Sequence, residues 1–509
     1  MSATTNRRRF LATAASASAF AGLSQLGFLS KLPLVSAAEA QPDPKIVKLN
    51  DDIEPLVRVL EESPRDKVLE AVAERIRKGT TYREVVAALL LAGVRNVQPR
   101  PSVGFKFHAV LVVNSAHLAS ISSPDEHRWL PIFWAIDAFK GSQTRDIDEG
   151  NWTMAPVDES RVPPPHQARR AFTEAMDNWD EAAADAAVAS LARSAGSNEL
   201  FDIFARYGCR DFRSIGHKAI YVANAWRTLN CVGWQYSEPV LRSLAYALLN
   251  HEGGENPAKA DLDADRPGRE NIARAKKLRE DWQTGTVDSA ATHDLLATIY
   301  SGSSSELCDQ IVETINRGIS PQSVWDAMLV GSGELLMRQP GIVGIHTLTT
   351  SNATRYAFGA CGDEETRKLL LLQNAAFLPL FRGAMGSRGR IGEQKVEALE
   401  PAEIPADSPA ALDSIFGDVS GDRMTAAKKT LAYARANPEP QDFVNRARAL
   451  IFLKGRDSHD YKFSSAVLED YLNVSPAWRD KFLATSVFNL KGSGDNDNNL
   501  VKRTQAALA

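Results

Sequence analysis

An all-α protein, built from four quasi-equivalent helical units packed as one closed array, is the fold this chain predicts, and three observations predict it. Helical periodicity recurs along the 509 residues, while the alternation expected of a half-buried strand is almost absent. One stretch of the first third repeats in the second half, which marks an internal duplication. Polar segments rich in proline and glycine fall at regular intervals and separate the repeating pieces.

The duplication is the strongest of the three. The segment "KGTTYREVVAALLLAGVRNVQPRPSVGFKFHAVLVVNSAHLA", from Lys78, lies on "RGISPQSVWDAMLVGSGELLMRQPGIVGIHTLTTSNATRYAF", from Arg317. Thr81 falls on Ser320, Val85 on Val324, Ala88 on Ala327, Leu90 on Leu329, His108 on His346 and Asn114 on Asn352. Two weaker relatives carry His217 with Asn224 and His459 with Ser465. Each piece continues into a second apolar helix: "RWLPIFWAIDAF", "PVLRSLAYALL", "RKLLLLQNAAFLPLF" and "AWRDKFLATSVFNL". The unit is therefore helix, loop, a histidine opening a helix, turn, helix. Units are expected at about 65–140, 168–251, 303–385 and 424–495 within one domain spanning 41–509, with linkers at about 141–167, 252–290 and 386–423. An amphipathic unit needs a neighbour to cover its apolar face, which favours a closed array over separate domains.

Composition removes some functions. Lys plus Arg (59) nearly balances Asp plus Glu (63), and no long basic run marks a nucleic-acid surface. The N-terminal "NRRRFLATAASASAFAGLSQLGFLSKLPLVSAAEA" has adjacent arginines, a weakly apolar stretch and the small-residue site Ala38-Glu39-Ala40. It resembles a twin-arginine export signal, S/T-R-R-x-F-L-K, with Arg7 and Arg8 as the pair. That resemblance implies the twin-arginine machinery as a partner, a periplasmic or secreted location, and residues 1–40 outside the packed core. No stable membrane anchor is expected afterwards, because the longest apolar run, "VVAALLLAGV", is too short to span a bilayer. Cys209, Cys231, Cys308 and Cys361 form no C-x-x-C pair, so buried thiols or one incidental bridge are expected.

Four of the nine histidines, His108, His217, His346 and His459, share the slot at the loop-to-helix junction. A repeat-encoded cap or a buried packing histidine explains one of them. Four at one slot point to a metal, because closing four units around an axis brings four imidazoles together. His127, His166, His251 and His293 sit in polar surroundings and read as solvated; His117, nine residues after His108, falls on another face of the helix.

Four neutral imidazoles suit iron, copper, zinc or nickel but leave the cation's charge uncompensated. In "SHDYK", Lys462 follows His459 by three residues and is aimed at the same point. As an ammonium it would repel a metal; as the carbamate formed with carbon dioxide it would supply an anionic oxygen ligand. The competing reading is a salt bridge of Lys462 with Glu469 or Asp470. Lys218, beside His217, points about 100° away on a helix, and Lys106 precedes His108 in an extended-looking run, so both rank below Lys462.

The histidine-led helices and the H-x-x-K at His459 and Lys462 resemble the questin oxidase-like family over about residues 65–495. The resemblance implies an all-helical oxidoreductase with a mononuclear non-heme iron held by His108, His217, His346 and His459 and by Lys462 as a carboxylated lysine. It also implies dioxygen and an organic, aromatic substrate as reactants. Phe105, Phe107, Trp129, Trp134, Tyr221 and Trp226 are candidates to line an apolar pocket. Two other readings stay open: a helical-toroid carbohydrate hydrolase or lyase using Asp211, Asp457 and Asp460, and a non-catalytic metal-binding repeat scaffold.

Overall fold

A computed structural model describes residues 32–36, 53–99, 108–249 and 256–508. These residues form 22 α-helices and no strand, the nearest approach to a sheet being an isolated bridge between Thr286 and Ile319. The all-α class is as the periodicity predicts.

Twelve of the helices build four consecutive triplets. They are α1 (Tyr82–Asn96), α2 (His108–Ile121) and α3 (Trp129–Asp148); α4 (Ser197–Gly208), α5 (His217–Val232) and α6 (Ser237–Leu249); α7 (Pro321–Arg338), α8 (Ile342–Ala360) and α9 (Glu364–Gly386); and α10 (Gln441–Lys454), α11 (Ser458–Asp470) and α12 (Pro476–Ser486). The middle helix of each triplet is buried nearly all round, as expected of a helix with neighbours on every side. α2 packs on α5, α5 on α8, α8 on α11, and α11 back on α2. The flanking helices lie outside these four.

Local chemistry sets the helix starts. Thr81 and Glu84 form a capping box at α1, each satisfying a backbone N–H of the other's end. Asp457 caps α11, its carboxylate accepting from the N–H groups of His459 (2.8 Å) and Asp460 (3.3 Å); such a cap contributes roughly 1 kcal/mol. Gly216, at φ +80°, turns the chain into α5. A Cβ there would collide with the hydroxyl of Thr350 on α8, so glycine permits both the turn and the close approach of two central helices.

The repeated Asn slot ties the four helices together one to two turns below the histidines. Asn114 Nδ2 donates to Asn224 Oδ1 (3.2 Å), Asn352 Nδ2 to Asp470 Oδ1 (3.1 Å), and the Ser465 hydroxyl to the Ser115 carbonyl (2.9 Å). Buried amides are held by their partners, and each bond here crosses between helices.

The linkers at 252–290 and 386–423 carry helices of their own, Arg266–Ala275 and Ser408–Val419. Half of the first helix's residues are polar or charged, and of these Asn271 is fully buried and donates to Gln373 Oε1 on α9 (2.7 Å). Leu32 and Val35 are buried, because the Arg128 guanidinium and the Trp129 indole donate to the carbonyls of Val35 (2.5 Å) and Pro33 (3.0 Å), so residues before Ala40 do join the core. The rest of the export segment, Arg7, Arg8 and the Ala38–Ala40 site included, lies outside the described residues. By length and composition α9 could cross a membrane, although polar residues divide it into short apolar runs; it is mostly buried among other helices.

Candidate metal centre

The four central helices bring His108, His217, His346 and His459 to one place. His108 Nε2 lies 2.9 Å from His217 Nε2, and His217 Nε2 lies 3.1 Å from His346 Nε2. The His459 ring sits 4.5 Å from that of His108 and 5.2 Å from that of His346, centre to centre. One nitrogen from each of His108, His346 and His459 falls within 4.8 Å of the others. One detail departs from expectation: His346 stands one turn inside α8 rather than at its first residue, because that helix already begins at Ile342 after Gly341.

Hydrogen bonds set the tautomers. His217 Nδ1 lies 2.8 Å from the Ser214 carbonyl and His346 Nδ1 lies 2.6 Å from the Ile342 carbonyl. A carbonyl only accepts, so both Nδ1 atoms carry the proton. Both rings are neutral: burial, with Lys462 and the neighbouring rings adding to it, pushes His346 well below the usual imidazole range and His217 down to about 3. Each Nε2 is therefore a bare lone pair, and the two face each other at 3.1 Å. Such a pair repels unless a cation lies between. Ligand nitrogens about 2.0–2.1 Å from a metal and at right angles to each other are about 2.9 Å apart, against about 3.3 Å for tetrahedral neighbours. The observed 2.9 Å matches the right-angled value, and 3.1 Å falls midway between the two.

His459 is oriented by Asp457, whose Oδ1 is 3.5 Å from its Nδ1, leaving a buried Nε2 with no hydrogen-bond partner. Burial would raise the Asp457 carboxyl, but the interaction with His459 and the helix N–H groups outweigh it and hold the carboxyl at about 2. A carboxylate behind a ligand imidazole fixes its ring and raises its basicity. Sequence reasoning offered Asp457 as an acid or base and missed this role. Its position two residues before a junction histidine, where a cap belongs, was the available signal.

Lys462 is 3% exposed, and its Nζ has no hydrogen-bond partner. Burial depresses its amine to about 7, against a partial counter-pull from Asp457. The salt-bridge reading fails: Glu469 accepts from Arg227 (2.8 Å) and Asn352 (2.8 Å), and Asp470 from Asn352 and Asn473. Lys462 is electrostatically coupled to His108, His217 and His346, lowering each. Lys218 is committed elsewhere, to Asp211 at 2.8 and 3.0 Å. Lys106 lies outside the described residues.

The remaining histidines divide. His166 and His293 are exposed, as expected, and His251 lies outside the described residues. His127 is buried, not solvated: its turn between α2 and α3 packs beside Arg448 and Phe452 of α10. His117 points away from the cluster, to the Tyr82 hydroxyl (3.0 Å).

The carboxylates proposed for hydrolysis are occupied. Asp211 holds Lys218, and Asp460 holds Lys491 (2.8 Å) and the Arg456 N–H (2.8 Å). Of the aromatic residues offered for a pocket, Trp129, Trp134, Tyr221 and Trp226 are core residues; Trp134 stacks on Tyr461, beside Lys462, at 4.1 Å. Phe105 and Phe107 lie outside the described residues. All four cysteines are buried thiols, none of them in a disulfide.

No family model, curated protein or solved structure matches the chain.

Proposed function

We propose that the chain is a metal-dependent oxidoreductase, with one non-heme iron held by His108, His217, His346 and His459, that uses dioxygen on an organic substrate. One observation carries the metal: the unprotonated Nε2 atoms of His217 and His346 face each other at 3.1 Å in a buried site. Two buried lone pairs that face each other are costly, and a divalent cation would convert the repulsion into two bonds. Histidines that converge in the interior also favour a reactive centre over a scaffold, whose ligands would face outward.

Iron fits because imidazole ligates it well and because dioxygen chemistry needs a metal that changes oxidation state, which zinc does not. Lys462 supplies the missing anion in this reading. Its depressed amine has a free lone pair near neutral pH, which attacks the carbon of carbon dioxide, loses a proton and becomes a carbamate. The four histidines and Lys462 would hold the iron, which would supply dioxygen activation, with the organic substrate bound beside it. Export in the folded, loaded state by the twin-arginine route, to the periplasm or beyond, completes the proposal.

Metal analysis of the purified folded protein, with absorption spectra recorded anaerobically and after admitting air, tests it. About one iron per chain and an oxygen-dependent spectral change are expected. A chain that takes up zinc alone, or whose iron ignores oxygen, sinks the oxidoreductase reading.

A further inference from the structure

A second cluster of chemically active side chains lies outside the histidine ring. The Tyr82 hydroxyl is 3.0 Å from His117 Nδ1, and Cys231 Sγ is 3.8 Å from the same nitrogen. The Tyr82 ring lies 5.5 Å from that of Trp129, centre to centre. Tyr82 is fully buried, and Trp129, His117 and Cys231 are 3%, 5% and 4% exposed. The cluster thus gathers tyrosine, tryptophan and cysteine, the side chains most readily oxidised by one electron, around one imidazole.

The Tyr82 hydroxyl and the Cys231 thiol both lie beside Nδ1, and in the tautomer whose proton is on Nε2 this nitrogen accepts the phenol proton. Burial keeps this imidazole neutral near pH 7 and keeps the phenol protonated at rest. Removing an electron from a buried phenol without moving its proton would leave a radical cation in a low-dielectric interior. A base at hydrogen-bond distance removes that obstacle, because a phenol that loses an electron becomes a strong acid.

We infer that Tyr82 is a redox-active tyrosine whose phenol proton passes to His117 Nδ1 as the electron leaves, with Trp129 and Cys231 as neighbouring stations. The step is balanced: Tyr82 O–H loses one electron to a one-electron oxidant and one proton to Nδ1, giving a neutral phenoxyl radical and an imidazolium. In the protein the oxidant is the oxygen-oxidised metal centre, and to that extent the inference rests on the metal reading. A small one-electron reductant of the ascorbate class restores the phenol. The placement suits a side route for oxidising equivalents when substrate is missing. His117 shares α2 with His108, nine residues or about 13.5 Å along the axis, and Cys231 shares α5 with His217. Arg128 acts on the Tyr82 phenol and favours loss of its proton, while Arg83 acts on the Cys231 thiol.

Two measurements on the full chain decide it. In the first, metal-free protein is irradiated with an ultraviolet flash that ionises tryptophan, and transient absorption follows the tryptophan radical into a phenoxyl radical. A phenoxyl component is expected that is lost in Tyr82→Phe, reduced in His117→Gln, retained in Tyr461→Phe and slower to form in heavy water. An unchanged phenoxyl signal in Tyr82→Phe overturns the inference. Circular dichroism and melting of each variant show that it is folded; Tyr82→Phe removes only a hydroxyl. In the second, iron-loaded protein without substrate is mixed with peroxide and freeze-quenched. An electron paramagnetic resonance signal lost in Tyr82→Phe is expected. A Tyr82 radical in the flash experiment with none after peroxide rejects the metal as the oxidant and leaves the redox-active pair standing.

Discussion

His217 Nε2 and His346 Nε2 lie 3.1 Å apart, while the Nδ1 of each ring faces a backbone carbonyl, Ser214 at 2.8 Å and Ile342 at 2.6 Å. Two backbone carbonyls thus aim two bare lone pairs at one point, and most of the following expectations derive from that relationship.

Replacing His217 or His346 by Ala removes one lone pair and opens the shell. Metal content of the purified protein should fall from about one per chain toward zero. Added metal at about 100 times its Kd should stabilise the parent by about 2.7 kcal/mol and the variants by much less. Equal stabilisation of parent and variants in thermal melts would place the metal elsewhere.

Lys462→Ala should lose metal and oxygen reactivity together, with partial rescue by a small carboxylate at high concentration. Lys462→Arg should not be rescued, because a guanidinium stays cationic and forms no carbamate in the same way. Metal binding by Lys462→Arg at the parent's level would reduce Lys462 to a packing residue.

Acid should destabilise the metal-free protein. His217 is held at about 3 in the folded state against 6.5 as its ordinary value, so between those pH values the unfolded chain binds the extra proton. Stability is fully present above about pH 6.5 and falls as pH drops toward 3, by up to about 1.4 kcal/mol per unit for each such histidine. His108 and His346 act in the same direction. Asp470, raised by burial to about 7, opposes them between 3.8 and 7, but it is one group against at least three. Lys462 adds a second window, between about 7 and 10.5, in which stability again rises with pH. Chemical denaturation of apoprotein across pH checks the slope; a flat profile from 6.5 to 4.5 would mean that the rings are not buried neutral.

Gly216→Ala should cost more than Gly79→Ala. Both glycines have positive φ, +80° and +104°, but only at Gly216 does an added Cβ meet a neighbour, Thr350. Backbone strain alone is about 1–2 kcal/mol, and the clash adds about 1–3 kcal/mol. Only Gly216→Ala should also lower metal content, since it displaces the start of α5 where His217 sits. Melting temperatures and metal analysis of the two variants provide the comparison.

The sequence by itself determined the helices and the chemistry they carry. Periodicity, the Thr81–Glu84 box and the Asp457 cap act over three or four residues, and those interactions are written in adjacent letters. The shared histidine slot and the His459–Lys462 spacing were legible for the same reason. Tertiary structure alone decided that nitrogens 109 and 129 residues apart approach within hydrogen-bond distance, because that depends on how helices pack and not on any local pattern. It also decided the tautomers, set by the carbonyls of Ser214 and Ile342, which no residue identity announces. The same holds for the burial of His127 beside Arg448, the helix inside a polar linker around Asn271, and the Lys462 amine without a partner. A polar letter looks solvated until its neighbours in space are known, and burial is a property of those neighbours.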